Sequence, residues 1–203
     1  MSQTEVPSTP LSAPTIADPG PLGLGAFAMT TFALSVFNTN MLSKTLEASV
    51  LALALFYGGA VQLLAGMWEF RKGNTFGALA FSSFGAFWLS YWYYVDRIVP
   101  KLPATEVHKA SGLFLLGWAI FTLYMTIASL RTTAAIAAVF VALTVTFVLL
   151  TIGAFATGTT AINMTKAGGW AGLVTAACAW YASFAVVTNS TFKRTVLPVW
   201  PLG

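Results

Sequence analysis

Apolar side chains fill six long stretches of the chain, and most polar residues lie in the short segments between them. The stretches cover residues 22–38, 48–68, 75–95, 110–130, 134–155 and 170–187. Each is close to the roughly 20 residues that a helix needs to cross a bilayer. Continuous apolar runs favour helices over membrane β-strands, in which apolar and polar residues alternate. The pattern therefore predicts an all-α membrane protein with six transmembrane helices.

The segments outside these stretches divide the chain into three parts. Residues 1–17 are rich in Ser, Thr and Pro, which predicts a flexible polar tail. Residues 18–198 form the predicted transmembrane domain, and residues 199–203 form a short C-terminal tail. Within the domain, residues 158–169 contain several Gly and Thr residues and one Lys, so we expect a loop there.

The composition agrees with a chain that is surrounded by lipid. Charged residues make up 8% of the 203 residues and hydrophobic residues 57%, whereas about 25% of an average soluble domain is charged. So few charges cannot cover a soluble surface of this size, which excludes a soluble globular domain and a disordered chain. We therefore expect a multi-pass protein of the cell (plasma) membrane, with the lipid bilayer as its main partner.

The charge and the metal-binding residues exclude several kinds of partner and chemistry. The formal net charge is +4, but the basic residues are dispersed, so we expect no nucleic-acid partner. Cys178 and His108 are each the only residue of their type, which leaves no set of ligands for a metal and predicts no cofactor. The sequence also lacks a nucleophile with a paired base and a phosphate-binding loop, so we do not expect an enzyme.

Two polar residues stand out within or beside the second apolar stretch. Gln62 lies inside it and Glu69 directly follows it. A polar side chain in hydrocarbon needs a partner or a face that points into the protein. We interpret both as structural residues, with Gln62 in a hydrogen bond between helices and Glu69 at the membrane interface.

A motif rich in Pro and Gly precedes the first predicted helix. Its seven residues are Asp18, Pro19, Gly20, Pro21, Leu22, Gly23 and Leu24. Asp caps helix N-termini, and Pro is favourable at the first helical position. The free N–H groups at a helix start also suit an anion. The motif therefore predicts either an abrupt helix start or a site suited to an anion; its role as the entrance to a transport pathway rests on a family resemblance alone.

Several motifs together resemble the acetate uptake transporters, also called succinate–acetate permeases. The family hallmark Asn-Pro-Ala-Pro-Leu-Gly-Leu stands at residues 18–24 as Asp-Pro-Gly-Pro-Leu-Gly-Leu. A second similar block begins with Phe-Tyr-Gly-Gly at residues 56–59 and continues through Gln62 and Glu69. A third covers residues 80–88, and weaker similarity reaches residue 198. The resemblance thus covers nearly the whole chain after the first tail.

This resemblance implies a protomer of six helices around its own pore, assembled as a homohexamer. The implied substrates are acetate and related small monocarboxylates, with succinate carried by some members. The family's narrow point, formed by Phe, Tyr and Leu, falls on Phe27, Phe84 and Leu143. Polar groups near that point are candidate substrate contacts, namely Thr30, Thr31, Thr144, Asn74 and Thr75.

Two positions depart from the family pattern in ways that change the expected chemistry. Phe84 keeps a ring but lacks the hydroxyl of the family's Tyr, so the narrow point is expected to be wholly apolar and to favour a neutral acid. Asp18 replaces Asn, and a carboxylate at an entrance would repel an anion unless it were protonated or paired.

Two other functions fit the sequence. One is a channel for a small neutral solute of the urea or amide type, since uncharged helices suit it equally well. The other is a membrane scaffold or sensor that transports nothing and uses its polar groups only to join helices. The sequence also leaves open whether transport is passive or coupled to protons.

Overall fold

The computed structural model describes residues 16–202, and these residues are almost entirely helical. The α-helices are α1 (Gly20–Asn38), α2 (Val50–Leu55), α3 (Gln62–Lys72), α4 (Thr75–Tyr93), α5 (Val107–Ser129), α6 (Ala134–Phe155) and α7 (Gly158–Phe192). A π-helical turn, Phe56–Val61, joins α2 to α3 within one helical segment of 29 residues, Lys44–Lys72. The chain therefore forms six long helical segments, which confirms the predicted all-α class.

Five of these segments are long and apolar enough to cross a membrane: α1, Lys44–Lys72, α5, α6 and α7. The sixth, α4, has 19 residues and carries several Ser, Trp and Tyr residues. It is also the helix that supplies Phe84, Phe87 and Trp88 to the core. This arrangement is that of a multi-pass membrane protein.

The predicted helix boundaries agree best where the sequence is uniformly apolar. Helix α6 has the predicted bounds, whereas the loop expected at residues 158–169 is wrong, because α7 begins at Gly158 and runs for 35 residues. The glycines there serve packing, since a Cβ on Gly168 would lie 2.7 Å from Leu150 of α6. Gly168 suggests a loop in the local sequence, but in the structure its lack of a side chain lets α7 pack closely on α6.

The helices pack in two main groups, one formed by α1, α5, α6 and α7 and one in which α4 packs on the Lys44–Lys72 segment. Helix α7 packs between α1 and α6, α5 packs on α6, and α3 pairs with α4. The pairing of α3 and α4 is unusually close, because a Cβ on Gly66 would lie only 2.5 Å from the backbone nitrogen of Ser82. Small residues allow helix backbones to approach in this way within a membrane.

Both ends of the described chain lie on the same side of the bundle. Ser183 near the end of α7 donates a hydrogen bond to the Pro21 carbonyl at the start of α1, at 2.7 Å. The C-terminal segment returns to the start of α6, where the Trp200 carbonyl accepts from the Ala134 N–H at 2.7 Å. Residues 1–15 of the predicted polar tail lie outside the described residues, as does Gly203.

Candidate functional site

Three apolar side chains from three helices meet in the middle of the bundle. Phe27 comes from α1, Phe84 from α4 and Leu143 from α6, and each is buried. The Phe27 and Phe84 ring centroids lie 5.5 Å apart. All three line a cavity of 20 Å³, which we call the gate cavity. This volume holds about one water molecule, so it is a tight constriction.

The Phe84 ring lies at the centre of an aromatic cluster. Its centroid lies 5.3 Å from that of Phe121, 6.0 Å from that of Trp118 and 6.4 Å from that of Phe147. Aromatic rings at these separations attract one another beyond the area they bury. The cluster fixes the ring at the constriction and surrounds it with apolar atoms.

Gln62 supplies the polar group of the gate cavity. Its side chain is 1% exposed and lines the cavity beside Phe27 and Phe84. Its Oε1 atom has no hydrogen-bond partner within residues 16–202. The hydrogen bond between helices that we expected for Gln62 is therefore absent at that atom. The sequence carried one signal of this role, since Gln62 is the only amide in the second apolar stretch.

A cavity of 330 Å³ opens on the side of the chain ends, and we call it the vestibule. Asp18, Glu69, Lys72 and Asn74 line it, and it shares Phe140 with the gate cavity. Lys72 Nζ lies 2.8 Å from Asp18 Oδ1 and 4.0 Å from Glu69 Oε2. The carboxylate that replaces the family's Asn is thus paired with a cation.

The motif at residues 18–24 is positioned by the start of α1. Asp18 Oδ1 accepts a hydrogen bond from the Gly20 N–H at 2.9 Å, so its side chain satisfies the first free N–H group of the helix. Asp18, Gly20 and Leu24 line the vestibule, while Leu22 is exposed on the outside of the bundle. The remaining motif residues, Pro19, Pro21 and Gly23, complete the helix start and do not line the vestibule.

Two further cavities continue on the other side of the constriction. The middle cavity has a volume of 50 Å³ and is lined by Phe27, Leu143 and Thr31 among others. It shares Tyr91 and Leu115 with an outer cavity of 460 Å³. Four cavities therefore follow one another through the bundle, and the gate cavity is the smallest of them.

The predicted polar contacts fall into two groups. Thr31 lines the middle cavity, and its buried hydroxyl has no partner in the described chain. Asn74 lines the vestibule and caps α4 by accepting from the Gly77 N–H at 3.1 Å. These two residues face the series of cavities.

The other three predicted contacts point elsewhere. Thr30 donates to the Ala26 carbonyl at 3.0 Å and packs against Gly58. Thr144 shares a hydrogen bond of 2.7 Å with Thr126 of α5. Thr75 is exposed at the start of α4. None of the three lines the four cavities.

Charge is confined to the two ends of this series. The vestibule carries Asp18, Glu69 and Lys72, and the outer cavity carries Glu47. The residues lining the gate and middle cavities are all uncharged. Among residues 16–202 there is no group of three His, Cys, Asp or Glu side chains that would hold a metal. The arrangement suits passage of a small solute that is neutral at its narrowest point.

Comparisons with known proteins agree with this architecture. The chain is 42% identical over 195 residues to acetate permease A of Emericella nidulans, covering 90% of this chain and 65% of that protein. It is 41% identical over 186 residues to the succinate-acetate/proton symporter SatP of Escherichia coli K12, covering 91% of this chain and 95% of that protein. It spans only 62–66% of the length of the fungal relatives it matches.

A solved structure has the same fold. The structure of the bacterial acetate channel SatP superposes with a TM-score of 0.81 at 41% sequence identity, covering 91% of this chain and 99% of that one. The sequence model of one protein family matches residues 2–203, which is almost the whole sequence. The chain therefore belongs to the GPR1/FUN34/yaaH family.

Proposed function

We propose that this protein transports acetate and related small monocarboxylates across a membrane, along the four cavities and through the constriction at Phe27, Phe84 and Leu143. The observation that carries the proposal is the narrowing of the series to 20 Å³ between larger cavities of 330 Å³ and 50 Å³. The similar proteins named acetate permease and succinate-acetate/proton symporter support acetate as the first substrate to test.

The lining of the constriction favours the neutral form of the acid. A carboxylate would lose its water there and meet aromatic rings, which costs several kcal/mol or more for an unpaired charge. The protonated acid avoids that cost, and the Gln62 amide offers it both a donor and an acceptor. Transport of the neutral acid carries one proton with each acetate.

Uptake of labelled acetate into proteoliposomes tests the proposal. We expect uptake well above that of protein-free liposomes, competition by unlabelled propionate, and accumulation when a pH gradient is imposed. Uptake no faster than in protein-free liposomes at every pH would contradict acetate transport.

A second candidate function is a channel for a small neutral solute. It is favoured by the uncharged lining of the gate and middle cavities, which distinguishes neutral from ionised molecules but not an acid from an amide. The same liposomes separate the two, because an amide channel passes acetamide as fast as acetate.

The homohexamer that the resemblance implies is part of this proposal. Large apolar side chains are exposed along α5 and α7, including Leu113, Ile127, Trp170 and Phe184. Lipid and neighbouring protomers are the two partners that such faces accept in a membrane. Native mass spectrometry of the detergent-solubilised protein should give six copies, and a monomer would contradict the assembly.

A further inference from the structure

Glu69 is a buried carboxylate at the inner end of the vestibule. Its side chain is 1% exposed, and Oε2 has no hydrogen-bond partner among the described residues. It lines the same 330 Å³ cavity as Asp18 and Lys72. The anchor at the membrane interface that the sequence predicts for Glu69 is wrong, because its carboxyl group is buried and borders a cavity.

Two glycines of neighbouring helices fit closely around the carboxyl group of Glu69, which leaves the vestibule as the open side. A Cβ on Gly20 of α1 would lie 3.5 Å from Glu69 Oε1, and one on Gly77 of α4 would lie 2.9 Å from Glu69 Cδ. A side chain at Gly77 would therefore collide with the carboxyl group. The two glycines form a cradle for it on two sides.

The charged groups that face Glu69 are few. Lys72 on the same helix lies 4.0 Å away, and Asp18 from the segment before α1 is bound to Lys72 at 2.8 Å. Helix α4 and its N-cap contribute Gly77 and the Asn74 amide. The parts of α6 and α7 that line the vestibule are uncharged, as are the residues just before α6; they include Thr132, Thr133, Ile136 and Val186.

Glu69 and Gln62 lie on the same face of α3. They are seven residues apart, which is about two turns and about 10 Å along the axis. Glu69 lines the vestibule and Gln62 lines the gate cavity. A solute that leaves the carboxyl group of Glu69 toward the constriction thus meets the Gln62 amide next.

Resting on the proposed function, we propose that Glu69 is the proton donor that converts an incoming carboxylate into its neutral acid before it passes the constriction. A proton on Oε2 places an O–H donor in the vestibule at an atom that otherwise has no partner. The O–H bond at Glu69 breaks as an O–H bond forms on acetate, and the negative charge moves to Glu69. Lys72, whose Nζ lies 4.0 Å from Glu69 Oε2, attracts that charge while it stays paired with Asp18. Water in the vestibule returns the proton to Glu69.

This role predicts a specific pH profile for transport. Carboxylic acids with pKa values of about 4–5 are almost entirely ionised at neutral pH, and their neutral fraction falls about tenfold for each further pH unit. In a protein that accepts only acid that is already neutral in solution, uptake falls by the same factor of about ten for each pH unit. In a protein that protonates its substrate in the vestibule, uptake falls less steeply over the pH range in which Glu69 keeps its proton.

Acetate uptake into proteoliposomes that contain Glu69→Gln, measured from pH 5 to pH 8, tests the role of Glu69 as proton donor. At pH 5, where a substantial part of the acid is already neutral, we expect the variant to keep measurable uptake below that of the wild type, which also shows that it is folded. Above pH 5 its uptake should fall about tenfold for each pH unit. Glu69→Asp should keep the shallower wild-type slope. Glu106→Gln is the matched control, because Glu106 is exposed in the loop before α5 and lines none of the four cavities.

Three results would overturn the proposal while leaving acetate transport standing. In the first, uptake by Glu69→Gln falls with pH as slowly as uptake by the wild type. In the second, Glu69→Gln loses the same fraction of uptake at pH 5 and at pH 8. In the third, uptake by the wild type itself falls tenfold for each pH unit. Absence of acetate uptake by the wild type at every pH would instead overturn the proposed function, and this inference with it.

A measurement on the wild-type protein does not depend on any variant. Dicyclohexylcarbodiimide reacts with protonated carboxyl groups, so it should modify Glu69 at neutral pH and slow acetate uptake. Peptide mass spectrometry locates the modification. An unmodified Glu69 in protein whose transport is intact would overturn the proposal.

Discussion

Lys72 Nζ lies 2.8 Å from Asp18 Oδ1 at the mouth of the vestibule. Asp18 stands where the related family has Asn, and the pairing neutralises the negative charge that it adds at the entrance. The pair also ties the segment before α1 to the end of α3. Both side chains are partly exposed, so the pair is weak and can exchange with an incoming anion.

Asp18→Asn should strengthen acetate capture at low ionic strength. The substitution keeps an oxygen for the Gly20 N–H but releases the Lys72 ammonium to attract the carboxylate. The expected change is a KM about two- to fivefold lower, in line with the small energies of exposed ion pairs. The effect should shrink as salt is added, and an unchanged KM at low salt would show that Asp18 acts only on the helix start.

Phe84→Tyr should raise acetate flux at neutral pH. The new hydroxyl would lie in the aromatic cluster beside the gate cavity, where it offers a hydrogen bond to a carboxylate or to water. Phe121→Tyr is the matched control, because it adds the same hydroxyl to a neighbouring ring that does not line the gate cavity. Flux in Phe84→Tyr that is equal to or lower than that of the wild type would count against an apolar barrier at this position.

Gln62→Leu should make the protein more stable and at the same time lower its acetate transport. Removing a buried polar atom that lacks a partner stabilises a protein by about 1–3 kcal/mol, so the melting temperature in detergent should rise. Acetate flux should fall, because the gate cavity loses its polar contact. A variant that is more stable and transports at the wild-type rate would show that Gln62 does not contact the substrate.

Asn189 holds the C-terminal segment against the bundle. Its Nδ2 donates to the Leu197 carbonyl at 2.8 Å, and its Oδ1 accepts from the Val196 and Leu197 N–H groups. Asn189→Ala should destabilise this segment by about 1–3 kcal/mol.

Limited trypsin digestion tests this at the Lys193 and Arg194 bonds. We expect cleavage to be faster in Asn189→Ala than in the control Thr191→Ala, whose hydroxyl donates only within its own helix. Equal cleavage in the two variants would mean that other contacts, such as the one between Trp200 and Ala134, are sufficient.

The helices could largely be predicted from the sequence, because an apolar run of membrane-spanning length has few alternatives. The helix Ala134–Phe155 was predicted to the residue. The first part of α7 was not, because Gly168 and its neighbours suggest a loop locally and only their contact with Leu150 explains the helix. The sequence pattern around a residue does not show tertiary packing of this kind.

The site was harder to predict, because its parts come from distant positions. Phe27, Phe84 and Leu143 were found through a family resemblance, and no spacing rule connects them; their function stays a prediction. Thr30 and Thr31 are adjacent, yet only Thr31 lines a cavity, because successive residues point about 100° apart around a helix. The nearly uniform apolar character of α1 gives no indication of which face is turned inward.

Leu143 offers the most direct test of transport through the constriction, because it lines the gate cavity and Val145 on the same helix is exposed. We expect acetate uptake in proteoliposomes to rise in Leu143→Ala and to fall to the level of protein-free liposomes in Leu143→Trp. The same changes at Val145 should leave uptake unchanged. Opposite effects at one position cannot come from misfolding alone, and equal uptake in wild type, Leu143→Ala and Leu143→Trp would contradict the account.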